Sequence, residues 1–171
     1  THLGEDPTGY VNLEHPVQQR VRSSLAAMTD TDLTMAPCGV DGCSVPTWAL
    51  PLRNMALGMS RLVTGEGPGA EHKAAADRLI AACTAEPEMT SGAGRRCGQI
   101  MQACEGRAYV KVGAEGVYCG AIPELGVGIA LKIDDGGTRA AEVAVATVVV
   151  FGTIAMLLYP FLYHLGWLQP W

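Results

Sequence analysis

The feature that most limits what this chain can become is a change of period near residue 107. Before it, apolar residues recur at three- and four-residue intervals; after it, they fall in short runs bounded by glycine or proline. Pro16 suits a first helical turn, and Val17, Val21, Leu25 and Met28 follow at helical spacing, so a short amphipathic helix is expected over about residues 16 to 29. Pro51 opens a second, whose stripe of Leu52, Met55, Ala56, Met59, Leu62 and Val63 ends at Gly65. An alanine-rich helix is expected from Ala70 to Cys83 with Pro87 closing it, and a shorter one from Arg95 to Cys104. Residues 107 to 112, 116 to 121 and 127 to 133 then read as three consecutive antiparallel strands. Asp134-Asp135-Gly136-Gly137 is a turn signal, with Thr138 as N-cap of a last helix. Helices around a late meander give an α+β domain: an antiparallel sheet with flanking helices.

Composition bounds the function classes. The 171 residues are 49% hydrophobic and 17% charged, enough for one domain with its own core and too apolar for a disordered chain. The net charge is -5 without a run of basic residues, so no phosphate-tracking face is present and nucleic acid is not an expected partner. Six cysteines, irregularly spaced and mostly in apolar stretches, suit buried thiols of a reducing compartment; the expected location is cytoplasmic. The N-terminal residues carry no basic segment leading into an apolar one, and read as the middle of a longer protein.

Two short runs concentrate chemistry. In Asp41-Gly42-Cys43-Ser44-Val45-Pro46-Thr47-Trp48, a carboxylate and a thiol flank a glycine and can face one point, as a metal or catalytic loop requires; an ordinary turn is the alternative. In Lys111-Val112-Gly113-Ala114-Glu115-Gly116-Val117, a lysine ends a strand and the glycine after it lets a ligand approach the backbone; a solvated edge lysine is the alternative. Arg95 follows a glycine-bearing loop, where it is either a bidentate carboxylate contact or a helix-start arginine paired with a nearby acid. Cys38, five residues before Cys43, reads as a buried thiol, with a substitute metal ligand as the alternative, and His2, His15, His72 and His164 show no ligand spacing.

With Pro51-Leu52 after the first run and Gly120-Ala121-Ile122-Pro123-Glu124-Leu125-Gly126 after the second, the chain resembles the bacterial L-asparaginase II family of the rhizobial type. The resemblance spans about residues 2 to 148 and implies a partial serine β-lactamase/glutaminase-like domain that hydrolyses L-asparagine to L-aspartate and ammonia. It implies that Lys111 is the strand lysine acting on nucleophile and base, and that the Ala114 N–H faces the oxyanion. From the residues themselves, Glu115 either accepts the substrate ammonium or caps the turn, and Arg95, in the first of its two readings, takes the substrate carboxylate. The resemblance also implies that Asp41 and Cys43 are part of a zinc site whose other ligands lie upstream, and that the protein is a homodimer. The Ser-x-x-Lys nucleophile of such enzymes is absent: Lys73, Lys111 and Lys132 are preceded at that spacing by Ala70, Ala108 and Ile129. The chain therefore reads as the C-terminal portion of an asparaginase, inactive without an N-terminal half. The alternative is a non-catalytic pseudoenzyme or interaction module, tethered to a membrane by its tail.

Residues 149 to 171 form an apolar tail that departs from the resemblance. Val143 to Tyr163 contains no charged residue over a length sufficient to cross a hydrocarbon layer. Arg139 and Glu142 lie one turn before it, no Lys or Arg follows, and Gly152 and Pro160 interrupt it. These features put a buried or partner-covered helix ahead of a membrane span.

Overall fold

The computed structural model describes residues 2–165. Thr1 and the part of the apolar tail from residue 166 onward lie outside the described residues. The elements run α1 (Pro16–Thr29), β1 (Cys38–Val40), β2 (Pro46–Trp48), α2 (Leu52–Thr64), α3 (Ala70–Ala85), α4 (Pro87–Ser91) and α5 (Arg96–Ala103). They continue with β3 (Tyr109–Val112), β4 (Val117–Ile122), β5 (Val127–Lys132) and α6 (Thr138–His164).

The helix bounds follow local chemistry. At the start of α1, Pro16 occupies the first turn and His15 Nδ1 accepts the Val17 N–H at 3.2 Å, while His15 Nε2 meets the Asp6 carbonyl at 2.9 Å. Gly65 ends α2 in the left-handed conformation and returns its N–H to Arg61 O. α3 runs two residues past Cys83 to Ala85 and ends before Pro87, as expected, and Pro87 also opens the short α4, because a proline at a first helical position loses no hydrogen bond. The run of residues 41–48, expected as a loop, instead belongs with Cys38–Val40 to a hairpin whose three-residue strands are too short to show a period of two.

The three late strands form the antiparallel meander β3-β4-β5, with Lys111 opposite Cys119 and Gly120 opposite Ile129. Pleating sends Val110, Tyr118, Ile129 and Leu131 to one face, where they pack with Cys97, Ile100 and Met101 of α5 and Ala141, Val145 and Val149 of α6. This is the core, and each fully buried Met101 or Val145 stabilises by about 1.5–3 kcal/mol relative to exposure. Lys111, Cys119, Gly128 and Ala130 point to the opposite face, which α2 covers. There Gly128 lies so close to α2 that a Cβ on it would stand 1.9 Å from the Ala56 carbonyl oxygen. Ser60 Oγ donates to Gly126 O at 2.6 Å and pins the same contact. The result is α+β, with the sheet held between α2 and the α5–α6 pair.

Helix α6 does not stop where a glycine and a proline were expected to interrupt it. Its backbone stays helical through Gly152 and Pro160 to His164. One stripe of it, Ala141, Val145 and Val149, is fully buried, and Gly152 comes close enough to β4 that a Cβ would meet Ile122 Cδ1 at 2.8 Å.

Candidate active site

The end of β3 and the turn after it form the best-defined constellation. β3 is an edge strand, so Val112 turns its backbone groups away from β4. Both are occupied: the Val112 N–H donates to Cys97 Sγ at 3.2 Å, and Val112 O accepts from Lys111 Nζ at 3.0 Å. Cys97 Sγ also lies 3.0 Å from the Tyr118 hydroxyl, inside the core. The Tyr118 hydroxyl is pushed well above the ordinary tyrosine range, first by burial and then by its bond to Cys97. Tyr118 is thus a neutral partner across the accessible pH range, and the Cys97–Tyr118 pair anchors the strand end from behind. Neither residue stood out in the sequence, because a thiol in an apolar helix face looks like any core residue.

Beyond the strand, Gly113 N–H donates to Val117 O at 2.8 Å and Val117 N–H returns to Ala114 O at 3.1 Å. Glu115 at φ 53° and Gly116 at φ 70° supply the two left-handed residues that a tight hairpin turn demands. Gly116 has a structural reason beyond φ: a Cβ there would stand 2.9 Å from the carbonyl carbon of Gly136, and its own carbonyl accepts the Ile133 N–H at 3.1 Å. The turn after β3 is therefore fastened to the turn before α6. Ala114 and Glu115 sit exposed on it, and the Ala114 N–H donates no hydrogen bond among the described residues.

Asp41 and Cys43 occupy the turn of the β1–β2 hairpin. Asp41 Oδ1 accepts the Gly42 N–H at 2.8 Å, its Oδ2 lies 3.6 Å from Cys43 Sγ, and Ser44 at φ 71° closes the turn. The spacing does bring carboxylate and thiol together, on a surface open to solvent. A structural zinc centre takes four donors, and this turn offers one oxygen and one sulfur. Among the described residues no group of three or more His, Cys, Asp and Glu side chains is arranged to hold a metal, and exposed Cys38 bonds to the Gly39 carbonyl instead of joining the pair. The residues present do not complete a zinc site.

Arg95 caps α5 with its backbone, taking Gly92 O at 3.3 Å and offering its own carbonyl to Gln99 at 3.2 Å. Its side chain is exposed, two residues before the Cys97 that touches β3. The acid pairing weighed for it belongs to its neighbour, Arg96 Nε, at 3.7 Å from Glu142. The structure thus joins Lys111 to the 113–117 turn and Asp41 to Cys43. No hydrogen bond or ion pair among the described residues links the two groups, or Arg95 to either.

Comparison with known proteins adds two findings. The family profile described as L-asparaginase II matches residues 1–155. A stretch of 28 residues, 16% of this chain, is 68% identical to UPF0324 membrane proteins of Bordetella bronchiseptica, Bordetella pertussis and Bordetella parapertussis, of whose lengths it covers 9%, 8% and 8%. The chain thus spans less than a tenth of the length of these curated relatives.

Proposed function

Because the chain belongs to the L-asparaginase II family, we propose that it serves the hydrolysis of the L-asparagine side-chain amide to L-aspartate and ammonia. The observation that carries the reading is the end of β3: a lysine on a strand anchored from the core, followed by a fastened turn whose Ala114 N–H has no partner among the described residues. Amide hydrolysis passes through a tetrahedral oxyanion, and donors already held in place stabilise it without reorganising. The Ala114 N–H is assigned that task. The Lys111 ammonium is assigned to the charge that builds on nucleophile and base, after leaving Val112 O. Glu115 and Arg95, both exposed, are assigned to the substrate ammonium and carboxylate.

The attacking serine is assigned to polypeptide outside these residues, since no lysine here has a serine three positions before it. Asp41 and Cys43 are assigned as this chain's share of a zinc centre completed by the same polypeptide. Mixing the chain with a separately prepared N-terminal half that bears Ser-x-x-Lys tests the reading. The expected result is ammonia release from L-asparagine by the mixture, by neither part alone, and by no mixture containing Lys111→Ala. The absent Ser-x-x-Lys favours a second reading, a non-catalytic scaffold; tight association of the two parts without ammonia release would establish that one instead.

A further inference from the structure

Helix α6 has two halves with different surroundings. Up to Gly152 one stripe, Ala141, Val145 and Val149, is sealed against the sheet, while Val143, Val148 and Val150 on its other side are 62%, 47% and 45% exposed and Arg139 and Glu142 stand at its start. Past Gly152 the helix continues, and the large side chains that bound its departure from the sheet lie open: Phe151 is 67%, Ile154 42% and Leu158 47% exposed. In sequence, the residues from Val150 to Trp171 include no Asp, Glu, Lys or Arg, a run of 22.

Two kinds of cover can satisfy exposed apolar side chains on a helix. A protein groove takes one stripe and leaves polar residues on the opposite face. Here Ile154 to Tyr163 reads Ile-Ala-Met-Leu-Leu-Tyr-Pro-Phe-Leu-Tyr, with no polar face at any helical phase. A helix that is apolar all round needs an apolar medium on every side. The charge-free stretch is long enough for the roughly 20 residues that a hydrocarbon layer requires. Gly152 and Pro160 fit the same medium, since both residue types are more frequent in membrane helices than in soluble ones. Tyr159 and Tyr163 lie within the same stretch, and Tyr favours the headgroup level.

We propose that α6 leaves the domain at Gly152 and inserts into a lipid bilayer, so that one helix both closes the core of the α+β domain and tethers it to a membrane surface. The inference is independent of catalysis and holds for an enzyme or a scaffold.

The test uses the full chain and neutral phosphatidylcholine vesicles. The expected result is flotation of the chain with the vesicles and retention after an alkaline carbonate wash. The double variant Ile154→Lys, Leu158→Lys should lose at least ten-fold of the floated fraction. Leu79→Lys, at an apolar side chain on α3 that is more exposed still, should float as the parent does. A second measurement does not depend on those variants folding. In Trp48→Phe the remaining tryptophans are Trp167 and Trp171, and vesicles of brominated lipid should quench their emission. Failure to float, unquenched emission, or a stable dimer that covers the helix and ignores vesicles would each overturn the proposal.

Discussion

Cys97 on α5 and Val112 on β3 are joined side chain to backbone, the Val112 N–H donating to the Cys97 sulfur at 3.2 Å. The same sulfur reaches the Tyr118 hydroxyl, so one buried thiol ties a helix, an edge strand and a central strand at the point where Lys111 leaves the sheet. Cys97→Ala should leave a buried hydroxyl and an edge N–H unsatisfied and cost about 1–3 kcal/mol. Thermal unfolding of the two proteins checks this. Tyr118→Phe removes the hydroxyl with its partner still able to accept from Val112, and should cost less than Cys97→Ala.

Gly128→Ala should be more damaging than its single methyl suggests. The methyl would overlap backbone of α2, the Ala56 carbonyl oxygen at 1.9 Å and the Ser60 nitrogen at 2.4 Å, and backbone cannot swing aside as a side chain can. A loss on the order of 3 kcal/mol is expected from the forced separation of helix and sheet. Gly39→Ala, on the exposed hairpin with nothing within 4 Å, should fall within about 0.5 kcal/mol of the parent in the same denaturant titration.

Alkali should weaken the fold through its tyrosines. Burial pushes the Tyr109 hydroxyl up to about 12, with the thiols of Cys83, Cys97 and Cys119 adding to the effect. An unfolded tyrosine ionises near 10, so above that pH the unfolded chain has released a proton that the folded chain keeps. Stability is full below about 10 and falls as the pH rises toward 12. Absorbance titration at 295 nm should show Tyr109 and Tyr118 ionising late or together with unfolding, and Tyr109→Phe should move the alkaline unfolding midpoint upward.

Metal removal should leave this chain's own stability unchanged. Asp41 and Cys43 are two donors on an exposed turn, and β1 and β2 pack chiefly on each other. The unfolding midpoint measured with and without a chelator should agree, and Cys43→Ala should not shift it. A chelator-sensitive midpoint would mean that this chain assembles a full donor set by itself.

How much of this was legible in the sequence depends on how local each signal is. Pro16, Gly65 and the apolar stripe of α2 mark their elements because capping and helical phase are decided within a few residues. The connection between β3 and β4 was legible for the same reason, although Gly116, read as a strand residue, belongs to the turn. The β1–β2 hairpin was not, since strands of three residues carry too few side chains to alternate. Pro87 marked the end of α3 correctly, but the five-residue α4 that it opens was missed, because the same residue can follow one helix and begin another. The interruption expected at Gly152 and Pro160 came from intrinsic helix propensity, which a helix already seeded by burial of Ala141, Val145 and Val149 overrides. Cys97 illustrates the opposite limit: its importance lies in partners 15 and 21 residues away, and no local pattern encodes a contact made through the fold.

For the proposed hydrolysis at Lys111, the interlock of Gly116 with Gly136 sets a rule for how access can be controlled. A loop clamped by its own carbonyl, with no room for one methyl at its base, cannot swing over a bound molecule like a flap. The floor beside Lys111 is stationary, so any gate over it must hang from a different part of the protein.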